Sequence, residues 1–165
     1  MAKPATRKDH RSGCPINLTL ELLGDRWSLI VLRDIVFGNF RHFRVLLNNS
    51  LEGIPSNMLA DRLKRLEQAG ILSRAQDPKH KQKVIYSLTE QGIELFPLLA
   101  RASAWGAKYL PVTDELGARA RVLAEGGARL EMDFMAELRE EHLGIRRKRK
   151  KRSVRELMQE AYDDA

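Results

Sequence analysis

The chain has 165 residues, 43% of them hydrophobic, a mean hydropathy of −0.40 and a formal net charge of +7. That length predicts one domain plus appendages, with enough chain for a real core. No apolar run approaches membrane-spanning length and no signal-peptide core follows the basic N-terminus, so no membrane partner and a cytoplasmic setting are expected. A single cysteine excludes an internal disulfide framework.

The charge is unevenly placed. Residues 1–113 hold 17 Lys/Arg against 10 Asp/Glu, residues 114–145 hold 4 against 8, and residues 146–152 are all basic. A basic front end fits a polyanionic partner such as double-stranded DNA, although a merely soluble basic protein has the same totals.

Residues 1–13 are polar and without periodicity, and read as a flexible basic arm. Cys14-Pro15 then opens a short helix through Leu23, with proline at a first helical position where its missing N–H is harmless. Asp25 is the expected N-cap of a buried central helix, Trp27 to Phe37, with Gly38 as its stop. RHFRVLLNN turns Phe43, Leu46 and Leu47 inward and Arg41 and Arg44 outward, and a turn from Asn48 to Gly53 follows.

Residues 54–70, IPSNMLADRLKRLEQAG, place Leu59, Leu63 and Leu66 on one helical face and end at Gly70. Ser56, Asn57, Asp61 and Lys64 lie opposite those leucines. Ile71–Gln76 and Val84–Leu88 read as strands separated by a hydrophilic tip, DPKHKQK. A helix of groove width beside a lysine-rich hairpin suits DNA, and an amphipathic helix with a solvated polar face is the plainer alternative. Thr89 is the expected cap of a long helix to Leu110, kinked at Pro97.

Taken in order, CPINLTLELLGDRWSLIVLRDIVFG, the helix and hairpin, LTEQG and AWGAKYL resemble HxlR-type winged helix-turn-helix transcription regulators, relatives of the MarR group. The resemblance covers residues 14–110. It implies an α+β, mainly α fold, with a recognition helix, a wing and a long helix that pairs two subunits into a homodimer.

On that reading Ser56, Asn57, Met58 and Ala60 are base-contact candidates, because recognition helices enter the major groove by their N-terminal residues. Lys64, Lys79, Lys81, Arg41 and Arg44 are phosphate candidates. Asp61 is awkward on such a face unless it meets a cytosine amino group or orients Arg65. Some family members use a cysteine at the Cys-Pro position to sense quinones, aldehydes or oxidants, which makes Cys14 a sensor candidate and a small-molecule or oxidant effector a further partner. A lone cysteine is equally a small residue packed at an interface, and no second cysteine is present to resolve an oxidised one within the subunit, which leaves alkylation, a mixed disulfide with a small thiol or a Cys14–Cys14 bridge between subunits.

Residues 111–144 form an amphipathic extension that reads as two helices, Thr113–Glu125 and Ala128–Leu143, split at Gly126-Gly127. Residues 145–165 hold the basic run RRKRKKR and a short terminal helix capped by Ser153. There is no HExxH, CxxC or glycine-rich phosphate loop, and the four histidines are scattered. No catalysis, metal or cofactor is expected. The function read here is a sequence-specific DNA-binding regulator, a dimeric repressor. The alternatives are a winged-helix protein-interaction module, or an RNA-associated protein acting through the basic run.

Overall fold

Asp25 shows how the first half of the chain is nucleated. Its carboxylate accepts from the Trp27 and Ser28 amides at 2.9 and 3.0 Å, closing the N-terminus of the central helix. The computed structural model describes residues 12–78, 80–147 and 152–165, with the backbone only at Lys81. Most of the expected N-terminal arm, Lys79 and residues 148–151 of the basic run lie outside the described residues. The chain forms two compact units, Met1–Ser87 and Leu88–Ala165.

The first unit contains α1 (Pro15–Leu23), α2 (Arg26–Gly38), α3 (Phe43–Asn48), α4 (Ser56–Gln68) and the strands β1 (Leu72–Asp77) and β2 (His80–Leu88). The strands form a two-stranded sheet. Val31, Leu32, Ile35 and Val36 of α2 pack with Leu46 of α3 and with Leu59, Leu63 and Leu66 of α4 in the core. Phe43 and Leu47 are half-buried.

Two local expectations are corrected in this unit. Gly38 stays helical, and Asn39 (φ 51°) is the left-handed residue that ends α2; asparagine tolerates that region better than other side chains do. Gly70 (φ 76°) does end α4, because its own N–H bonds the Glu67 carbonyl and that of Ile71 bonds Leu66. The hairpin is longer than expected. β2 starts at His80, so Lys81 and Lys83 are strand residues and not part of a seven-residue tip. Ladder pairing does not require burial, and a polar ribbon can extend beyond its apolar segment.

The second unit contains α5 (Glu90–Ile93), α6 (Phe96–Tyr109), α7 (Asp114–Leu143) and α8 (Val154–Asp163). The single kinked helix expected over residues 89–110 is instead two helices. Pro97 has no N–H to donate, and its ring excludes the Ile93 carbonyl that a continuous helix would place against it, so α5 ends at Ile93. α7 is interrupted at Gly127 (φ 58°, ψ −158°), which divides it where the Gly-Gly pair predicts. Phe96 meets Phe134 edge-on at 4.8 Å between ring centroids.

The terminal helix is docked. Val154 and Met158 are buried, and Arg119 of α7 stacks 4.1 Å over the Tyr162 ring. Glu137, itself buried, accepts from the Val154 amide at 2.7 Å, Ser153 Oγ at 3.0 Å and Arg147 Nη1 at 3.0 Å. Arg147 of the basic run is therefore a structural residue, and it also meets Glu140 at 2.6 Å. That carboxylate, set against the milder effect of burial, raises the Arg147 pKa.

Candidate nucleic-acid interface

The leucines of α4 face the core, which leaves Ser56, Asn57, Ala60, Asp61, Lys64, Arg65 and Gln68 exposed on its other side. Four of the expected contact residues, Ser56, Asn57, Ala60 and Lys64, thus share one solvent face. Met58 is half-buried and stands at the edge of it. No side chain caps α4, whose first residue follows Pro55. Uncapped first-turn N–H groups at the positive end of a helix dipole favour an anion.

The turn into α4 is braced from α2. Arg33 donates to both oxygens of Glu52, at 2.5 and 2.8 Å, and also meets Asp34. The hydrogen bond from Arg33 is the main reason Glu52 lies below the usual carboxylate range. Asp34 goes the other way, because burial outweighs Arg33 and pushes its carboxyl up. Burial also raises Asp25, but the hydrogen bonds from Ser28 and Trp27, with the nearby Arg62, outweigh it and the net shift is downward.

The wing is fastened by residues with no obvious sequence signature. Arg41 Nε donates to the Tyr86 carbonyl at 3.1 Å, and its guanidinium also bonds Ser87 Oγ. The Tyr86 amide returns a bond to the Arg41 carbonyl at 2.8 Å. Arg41 is thus engaged with β2, whereas Arg44 is exposed on α3. His42 bridges both strands, with Nδ1 2.9 Å from the Val84 carbonyl and Nε2 3.3 Å from Asp77.

Lys83 is exposed on β2. The Lys79 position and the Lys81 side chain lie outside the described residues. Arg74, which sequence reasoning overlooked, is exposed on β1. Together with Gln76, Gln82 and Lys83 it lines an open groove of about 450 Å³ beside Glu67 at the end of α4. The missed signal was a cation in a strand of an otherwise polar hairpin.

Cys14 is exposed at the N-terminus of α1, and its amide donates to Ser12 Oγ at 3.3 Å. Ile16 and Leu20 on the same helix are also exposed. In the second unit Leu98, Trp105 and Tyr109 form an exposed stripe along α6. Among the described residues, no three His, Cys, Asp or Glu are grouped to hold a metal, and no helix is long and apolar enough to cross a membrane.

The chain is similar to known proteins. The chain is 38% identical over 103 residues to the uncharacterized HTH-type transcriptional regulator Rv3095 of Mycobacterium tuberculosis, spanning 62% of this chain and 63% of that protein's length. It is 36% identical over 112 residues to YdeP of Bacillus subtilis, another HTH-type transcriptional regulator, covering 67% of this chain and 84% of YdeP. YodB of the same organism is 34% identical over 97 residues, or 58% of this chain and 85% of YodB. The crystal structure of PA1607, described as a candidate transcription factor, superposes with a TM-score of 0.57 at 32% identity, covering 67% of this chain and 73% of that one. These relatives are named as regulators and not as enzymes. The family model for the HxlR-like helix-turn-helix matches residues 22–114, from the end of α1 to the start of α7, and the chain belongs to that family.

Proposed function

We propose that this protein is a sequence-specific DNA-binding transcriptional regulator that acts as a homodimer. The observation that carries the reading is the exposed polar face of α4, uncapped at its leading end and flanked by a wing bearing Arg74 and Lys83. Two such helices, related by a dimer axis, would enter successive major grooves of a near-palindromic operator, with the wings on the flanking backbone. Asn57 would bond adenine, Ser56 a base edge or phosphate, and Ala60 a thymine methyl. Lys64, Arg44 and the wing cations Lys79 and Lys81 would meet phosphates.

The exposed stripe of Leu98, Trp105 and Tyr109 on α6 supports dimerisation, since aromatic side chains on a solvent face are natural interface anchors. The regulatory outcome we favour is repression by occluding a promoter. Release would follow from a change in dimer geometry that spoils half-site spacing. Its trigger would be modification of the exposed Cys14, such as addition of its thiolate to a quinone ring carbon with the proton taken by the quinone oxygen, or a small ligand bound between helices.

The test is fluorescence anisotropy on duplex DNA from upstream of the protein's own gene, with scrambled duplex as control and salt titrated throughout. A high specificity ratio and a salt slope reporting several phosphates are expected. Absence of binding even at low salt would contradict the reading for the unmodified protein.

A further inference from the structure

The acidic residue on the recognition face is paired with a largely covered arginine. Asp61 is 54% exposed at the side chain and stands one helical turn after Asn57. Its Oδ2 is 3.3 Å from Arg62 Nη2, so of the two alternatives the sequence leaves for it, a cytosine amino group or Arg65, the observed cation partner is neither Arg65 nor a base but the adjacent Arg62.

Arg62 is unlike the other cations of α4. Its side chain is only 11% exposed, and Nη1 lies 3.1 Å from Asp25 Oδ2. Nε and Nη1 are buried without an aligned hydrogen bond. A guanidinium fixed in this way between two carboxylates cannot swing out to a phosphate. It compensates the Asp61 charge from beneath and restrains the carboxylate. Asp25 is itself fixed by the Trp27 and Ser28 amides and by Ser28 Oγ, so the restraint extends to the start of α2.

A carboxylate is acceptor-only, and the major groove offers it two donors, the amino groups of adenine and cytosine. Adenine places its N7 acceptor beside its amino group, which repels an anion. Cytosine itself carries no acceptor on that edge, only C5–H beside its amino group, and the paired guanine O6 next to it has its counterpart in thymine O4 beside adenine. We propose that Asp61 reads a cytosine in each half-site, with Arg62 as the positioning residue that neutralises it and holds it there. This rests on α4 being the DNA-reading helix, as proposed above.

The experiment is selection from a randomised duplex library by the full-length wild-type protein and by Asp61→Ala, Asp61→Asn, Arg62→Met and Arg62→Lys, each checked for an intact thermal transition. Wild type is expected to select a C·G pair per half-site and to bind a site altered there about tenfold more weakly. Asp61→Ala should lose the preference at that pair alone, with the salt slope unchanged. Asp61→Asn should move the preference to adenine, because an amide can pair with both N6 and N7. Arg62→Met should weaken the cytosine preference, and Arg62→Lys should restore part of it. A wild-type consensus reproduced unaltered by both Asp61 variants overturns this proposal while leaving α4 as the reading helix. Failure of wild type to select any consensus overturns both.

Discussion

Glu137 Oε1 accepts the Val154 amide at 2.7 Å, and the same buried carboxylate holds Arg147 at 3.0 Å. One side chain on α7 therefore secures both the residue that enters the basic run and the first turn of the helix that follows it. Glu137→Ala leaves an arginine and a helix N-terminus without their acceptor. It should destabilise the docked α8 by about 3 kcal/mol, in the range for breaking a buried pair. Faster hydrogen exchange across residues 154–163, with α2 and α4 unaffected, is the expected signature.

Acid should weaken the first unit in a defined window. Asp25 and Glu52 lie below their ordinary values of 3.8 and 4.5. A depressed carboxyl contributes stability that is complete above its ordinary value and is lost as pH falls through its folded one. Asp34 is shifted upward, so its protonation gives back part of the loss. Urea midpoints should be flat above about pH 5 and fall below about pH 4. Arg33→Met should make the fall shallower, because Glu52 then loses its hydrogen-bonding partner. An unchanged acid limb would contradict this assignment.

Gly127 occupies φ 58° and ψ −158°, a region open essentially to glycine alone. Gly127→Ala should cost about 1–3 kcal/mol through backbone strain, since no atom beyond the local backbone lies within 4 Å of the added methyl. The check is a lowered thermal midpoint in Gly127→Ala that is absent from an alanine substitution at exposed Glu125.

Trp105 is 59% exposed on α6 and lies 5.4 Å from Tyr109 between ring centroids. If this stripe joins two subunits, Trp105→Glu places a charge in a desolvated interface. Sedimentation should then show a monomer where the wild type is a dimer, with circular dichroism unchanged. A wild-type monomer at micromolar concentration would remove this role for the stripe.

The helices were legible because their signals are local. Asp25 and Ser153 each precede an apolar pattern and cap the helix it announces, whereas Thr89 caps only the short α5 at the start of the long helix expected there. The leucines of α4 repeat at helical spacing, and all three are buried. Long-range partners were not legible, since periodicity shows that a side chain is buried and not what it meets. Arg41 looked like a solvent-facing cation of the helix-turn-helix but is engaged with Tyr86 and Ser87, 45 and 46 residues away. Arg62 and Glu137 are of the same kind, charges whose partners only the fold supplies. Pro97 was legible as a disturbance, but whether a proline kinks or divides a helix depends on the packing around it.

α4 is proposed to read DNA through its exposed face. That role is tested most directly by salt-titrated anisotropy on the operator with Asn57→Ala and Lys64→Ala, both at exposed positions that leave the core intact. Asn57→Ala should lower the ratio of operator to scrambled affinity by about 1–3 kcal/mol, with the salt slope preserved. Lys64→Ala should weaken both duplexes alike and reduce the slope by about one. Variants that bind both duplexes as wild type does would contradict the account.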